Sequence, residues 1–286
     1  MSKLYIVGSS GFIGQYLVQS LIQSNYKPIC VDDGDIRAEV PDKLTSLESQ
    51  SIVVYLASRS QHEQKVESAI EDLKALSEMF ELAKQSGSTL LVASSSSVSG
   101  GNTPYACFAK CAEILAAHYK GKVRTCFLRL YSVYGPGQHD NLIHRAINSI
   151  LNKSVLVVSS SHFIRDWIHV SDVATCITQI VDQVVARKSL PPVLHIGTGR
   201  GLPVKTAIDI IEDMVDKQVM RVTGSPIVNE PVVSVAQKIP QFWTPEYTFE
   251  RGVLETYLSY EKSRSTEEHG AEVHQQGFAK EATTQG

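Results

Sequence analysis

Three observations predict a doubly wound α/β fold with a parallel sheet and a smaller C-terminal lobe: strands and helices alternate, the strands are apolar throughout, and a glycine turn joins the first strand to the first helix. Uniformly apolar strands are those buried on both faces, as a parallel sheet covered by helices requires.

The elements follow in order. LYIV stops at Gly8, and the next stretch carries Ile13, Leu17 and Leu21 at helical spacing. KPICVDD is a second strand ending in acids, SIVVYLAS a third and STLLVASSSS a fourth, with helices near 64–86 and 105–119 between and after them. VRTCFLRL and PVLHIG are further strands. HDNLIHRAINSILNK, SDVATCITQIVDQVVARK and VKTAIDIIEDMVDK show apolar residues three and four apart and read as helices. The division expected is a first domain mainly over 1–160 and an interleaved lobe mainly over 161–260. The stretch 261–286 is polar, too poor in large apolar groups to repay ordering, and is expected as a flexible tail.

The 286 residues can bury a large core, and a net charge of −3 gives no electrostatic reason to expect nucleic acid or an anionic membrane. No apolar run approaches a membrane span, and the first glycines come too early for a signal peptide. Five cysteines without a C-x-x-C pair suggest neither a disulfide framework nor a metal site, so a cytoplasmic protein is expected. Cys107 and Cys111 share a helix face and could pair or bind metal, but without further ligands nearby they read as small core residues.

Gly8, Gly11 and Gly14 stand at G-x-x-G-x-x-G spacing between strand and helix. Missing side chains there allow a tight turn, close approach of a pyrophosphate and tight helix packing, and the helix N-terminus offers free N–H groups to phosphate. Phe12 and Ile13 lie within that turn. Asp32, followed by Asp33, ends the second strand where a carboxylate holds a ribose 2′-hydroxyl and repels a 2′-phosphate, so the fold is read as Rossmann-like and the cofactor as NAD rather than NADP.

The ordered segments GSSGFIG, YLAS, SSSSVSG, PYACFAKCAE, RLYSVYGPGQ, FIRDWIHVSDVA and HIGTG, from about Lys3 to about Tyr257, resemble the extended short-chain dehydrogenase/reductases, the NAD-dependent nucleotide-sugar epimerases, dehydratases and reductases. The resemblance implies hydride transfer at a sugar carbon and a homodimer paired through the helices near 64–86 and 105–119. It implies Ser95, Tyr105 and Lys110 as catalytic residues. Leu56, Ala57, Ser58, Asp72 and Tyr131 join the cofactor site, Asp72 standing where the family usually has asparagine. Ser96, Ser132 and Arg165 fall to the substrate, Arg165 at the arginine that pairs with its diphosphate. Tyr134 reads as packing, His169 as fixing a turn and His195 as structural.

The chain departs from the family pattern in three places. Lys110 follows Tyr105 by five residues instead of four, and Ala109 holds the usual position. One extra residue turns a side chain from roughly 40° to roughly 140° around the helix, so Lys110 is expected to face elsewhere. The stretch from Asp32 to Tyr55 is short, and SPIVNEPVVSV replaces a P-x-R-x-G-D pattern that grips the nucleotide. These departures keep a second reading open, a catalytically impaired member serving as a dinucleotide-binding or partner subunit. A reductase of a substrate without a nucleotide is a third.

Overall fold

A computed structural model describes residues 2–31, 44, 47–58, 65–139, 141–225 and 230–282, with side chains as far as Ser265. Six parallel strands form the main sheet: β1 (Leu4–Val7), β2 (Ile29–Val31), β3 (Ile52–Tyr55), β4 (Thr89–Ser95), β5 (Arg124–Leu130) and β10 (Val193–Ile196), in the order β10-β5-β4-β3-β1-β2. Val7 lies opposite both Val31 and Tyr55, and Tyr55 opposite Val92, so the carboxyl ends of the central strands line up.

Successive residues of a strand face opposite sides, and the two cores divide accordingly. Leu4, Ile6, Ile52 and Val54 pack with Leu17 and Leu21 of α1 (Phe12–Gln23) and with Val173, Ile177 and Ile180 of the helix Val170–Val185. Tyr5, Val7, Val53 and Tyr55 pack on the other face with Leu76 and Phe80 of α2 (Val66–Ser86) and Phe108 and Ala112 of α3 (Pro104–His118). The periodicity read in the sequence is therefore the periodicity of the two cores.

The second lobe gathers α4 (Leu142–Leu151), α6 (Val204–Val215) and α7 (Phe249–Ala282) around Ile143, Ile147, Ile208, Ile211 and Val253, while α5 (Val170–Val185) stays with the sheet. Short strands complete it: β6 (Ser132–Tyr134) beside β9 (Trp167–His169), β7 (Leu156–Val158) beside β12 (Arg221–Thr223), and β8 (Ile164–Arg165) between β11 (Leu202–Pro203) and β13 (Val233–Ser234). At two or three residues each, they are too short to show a period in sequence.

Two expectations change. The stretch from Glu261, expected as a flexible tail, continues as helix to Ala282. Its Glu, Lys, Ala, Gln and Arg content and lack of proline favour helix locally, beyond Tyr257, the last of the described side chains to be buried. Cys107 and Cys111 are exposed on α3, on the side turned from the sheet, and are not core residues.

Candidate active site

A cavity of about 600 Å³ opens at the carboxyl ends of the strands and runs from the glycine turn to the second lobe. Gly8, at φ +87, turns the chain out of β1 against Leu56 and Ala57. A Cβ on Gly14 would lie 2.1 Å from the Gly8 carbonyl oxygen, so only glycine lets α1 begin this close to the strand. No acidic side chain stands in the first turn of α1 and no side chain caps it, which leaves its N–H groups to the cavity. Gly8, Gly11, Phe12, Ile13, Gly14, Leu56, Ala57 and Ser58 line this end. Asp32 and Asp33 lie outside the described residues.

Behind that end, Ser58 donates to Asp72 Oδ2 at 3.0 Å. Asp72 is buried on α2 and does not line the cavity, so it stands behind the lining, in hydrogen bond with Ser58.

Ser95 ends β4, where its Oγ accepts from the Ser97 amide and hydroxyl at 3.1 and 2.8 Å. Tyr105, in the first turn of α3, comes within hydrogen-bonding reach of Ser95, and both line the cavity with Ser96. Thr103 caps α3 through the Ala106 amide, with Pro104 beginning it, and so fixes where Tyr105 points. Burial pushes the Tyr105 phenol up to about 12, the Asp72 charge adds to this, and the Ser95 hydrogen bond opposes it. Lys110 is not beside it. Its Nζ donates to the carbonyl of Gly101 at 2.6 Å; Gly101 lines the cavity and Lys110 does not, and the buried Ala109 takes the place one turn after Tyr105.

Deeper in the sheet, Glu113 of α3 binds Arg129 Nε and Nη2 at 2.8 and 2.5 Å and accepts from Ser94 Oγ at 2.7 Å. This pair ties α3 to the ends of β4 and β5 that present Ser95 and Tyr131. The Tyr131 hydroxyl lies 3.0 Å from His195 Nδ1, which also accepts the Gln237 amide, so the tyrosine donates and the imidazole holds it. Burial raises the Tyr131 phenol and lowers His195.

Ser132 and Arg165 line the far end of the cavity. The neighbouring Asp166, fully buried, accepts from the amides of Thr198, Gly199 and Ala236 and thereby fixes β8 against the HIGTG loop. Arg165 lies over the Phe163 ring and pairs with Glu230 at 2.8 Å. Sequence reasoning did not single out Asn141, Arg145, Trp167, Glu230 and Pro231, which also line the cavity. Glu230 carried a signal, since it falls in the segment that replaces the expected arginine pattern.

His169 and Tyr134 stand away from this cavity lining. His169 accepts the Ser171 amide at the start of α5 and stacks on Tyr247, while Tyr134 is buried beside it. Among the described residues no helix is long and apolar enough to cross a membrane, and no group of three or more His, Cys, Asp or Glu is placed to hold a metal ion.

Residues 4–197 match the model of the NAD dependent epimerase/dehydratase family. Protein CapI of Staphylococcus aureus is 25% identical over 230 residues, which are 63% of this chain and 69% of that protein. The structure of MoeE5 in complex with UDP-glucose and NAD superposes with a TM-score of 0.80 at 25% identity, covering 92% of this chain and 99% of that one. UDP-glucuronic acid 4-epimerase from Bacillus cereus, in complex with UDP-glucuronic acid and NAD, gives a TM-score of 0.80 at 20% identity over 91% and 99%, a likeness of fold.

Proposed function

The chain belongs to the NAD dependent epimerase/dehydratase family, and from that premise we propose that it is an NAD-dependent enzyme acting on a nucleotide-sugar as an epimerase, dehydratase or reductase. One observation supports the reading: a single cavity is lined by the glycine turn, by Ser95 and Tyr105, and by Arg165, the groups that would take the cofactor, the reacting carbon and the diphosphate. The glycine cradle fits NAD, because Gly14 lets α1 start directly against the end of β1, and the first turn of α1 has no acidic side chain and no side-chain cap to occupy the N–H groups a pyrophosphate would take. Bound NAD supplies the hydride chemistry.

Gly8, Gly11, Phe12, Ile13, Gly14, Leu56, Ala57 and Ser58 hold the cofactor, with Tyr131 at its nicotinamide end. Ser95 hydrogen-bonds the reacting oxygen, and Tyr105 holds or gives the proton there. Ser96, Ser132 and Arg165 position the substrate, Arg165 through the planar fork that suits phosphate oxygens. NAD in preference to NADP, cytoplasmic residence and a homodimer belong to the same reading. Val66 and Ile70 of α2 and Ile114 of α3, exposed on the two helices that would pair, support the last.

A second reading has its own observation. With Lys110 committed to Gly101 and the Tyr105 phenol pushed up, the base is poorly activated, which favours a weakly catalytic, dinucleotide-binding subunit.

Titration of the purified protein with NAD, followed by assay of UDP- and dTDP-sugars, tests both. Turnover that disappears in Tyr105→Phe supports the enzyme. NAD binding without turnover supports the second reading, and no affinity for any dinucleotide overturns both.

A further inference from the structure

Among the described residues, the charged side chains lining the cavity are Arg145, Arg165 and Glu230. Two of the three are already joined. Arg165 Nη2 donates to Glu230 Oε2 at 2.8 Å, and its Nη1 donates to the Ile164, Pro231 and Val232 carbonyls at 3.1, 3.0 and 3.3 Å. The guanidinium is 12% exposed and the carboxylate 40%, so the pair sits at the cavity wall with only its acidic end well solvated. Asp166 and the pairing of β8 with β13 hold Arg165 in place from below.

Pro231, also in the cavity lining, packs against the loop after β4: a Cβ on Gly100 would lie 3.3 Å from the Pro231 Cβ. The Glu230–Pro231 stretch thus spans from the arginine of the second lobe to the loop that follows β4, the loop Lys110 pins through Gly101. A carboxylate on this stretch is therefore held where it can meet Arg165.

From this arrangement we infer that Glu230 is a specificity residue, an internal anion on Arg165 that a phosphate-bearing ligand must displace before it binds. The inference rests on the reading that Arg165 faces the ligand's diphosphate, and it adds which residue limits that contact. Two like charges on one guanidinium repel, and an arginine fork satisfied by one carboxylate has fewer donors for phosphate. Glu230 keeps affinity for free phosphates low and leaves neutral parts of a ligand unaffected. A ligand that binds well does so with a second cation, and among the described residues Arg145 is the other cation lining the cavity.

Calorimetric titration of the full chain with UDP, inorganic pyrophosphate and uridine, at one ionic strength, tests this in the wild type, Glu230→Gln and Arg165→Met. Glu230→Gln is expected to tighten UDP and pyrophosphate at least tenfold and to leave uridine and NAD unchanged, the NAD value also showing that the variant is folded. Equal affinities for UDP in the wild type and Glu230→Gln, with a loss in Arg165→Met, overturn the role of Glu230 and leave the diphosphate reading standing. A gain for uridine as large as that for UDP also overturns it, because the effect is then not on phosphate. UDP affinity absent from all three proteins, with NAD still bound, overturns the diphosphate reading and this inference together.

Discussion

The Lys110 ammonium lies 2.6 Å from the Gly101 carbonyl oxygen, so the lysine of the Tyr105 helix serves the backbone of a loop. Burial pushes Tyr105 up to about 12, and no lysine is among the groups that pull it back. Moving the cation back by one residue, in the double substitution Ala109→Lys and Lys110→Ala, is expected to lower the Tyr105 phenol by about one to three pH units. Phenolate absorbance titrated against a Tyr105→Phe background reads this directly. In the wild type, a Tyr105-dependent oxidation rate is expected to climb with pH without levelling off below about pH 10. A wild-type plateau near neutrality would show that the phenol is activated by another group.

Gly14→Ala and Gly11→Ala separate folding from binding. The methyl group added by Gly14→Ala would meet the Gly8 carbonyl oxygen at 2.1 Å and the Ser9 carbonyl oxygen at 2.7 Å, so α1 must shift; a loss of more than about 3 kcal/mol of stability is expected. The one added by Gly11→Ala would approach the Gly8 carbonyl oxygen only to 3.3 Å, so the fold should tolerate it while NAD affinity falls at least tenfold. Thermal melts alongside NAD titration distinguish the two, and equal melting losses would contradict the contact geometry.

Glu113→Gln leaves Arg129 without its carboxylate at a place where the two side chains are only 22% and 14% exposed. A destabilisation of about 3 kcal/mol is expected from the half-buried unpaired cation. Because Glu113 also holds Ser94 beside Ser95, activity should drop further than the melting loss explains. Replacement of both partners, Glu113→Leu with Arg129→Met, should restore part of the stability.

His169 is held down to about 4, first by burial and then by the nearby Arg251 charge. The unfolded chain takes up this proton near its ordinary 6.5, while the fold refuses it until about 4, so stability falls as pH drops through that window. The full loss is about 3 kcal/mol. Asp172, raised by burial, works in the opposite direction. His169→Phe keeps a ring against Tyr247, removes the titration and removes Nε2, which has no hydrogen-bond partner among the described residues. Urea melts between pH 7 and pH 4.5 should show a flatter acid limb in this variant, and an unchanged limb would exclude His169 as its source.

Much of the scaffold was legible because the relevant forces act over a few residues. Apolar runs that stop at Gly8 and Ser94, and the helical spacing of Ile13, Leu17 and Leu21, report which faces must be buried, and the observed elements fall within a few residues of those runs. The displacement of Lys110 was likewise a matter of helical angle, while Tyr105 and Ser95 were named through the resemblance of SSSSVSG and PYACFAKCAE to the family's segments.

What remained hidden joins residues far apart in the chain. Local sequence determined the parallel sheet, the glycine cradle and the lysine that points away, because 3.6-residue and two-residue periods and the size of a missing side chain are fixed by near neighbours. Only the tertiary structure decided that Glu230 lies on Arg165, 65 residues away, that Asp72 stands behind Ser58, and that His195 holds Tyr131. Those pairs depend on how separate strands and lobes are brought side by side, and no period within any one element encodes which charge will meet which.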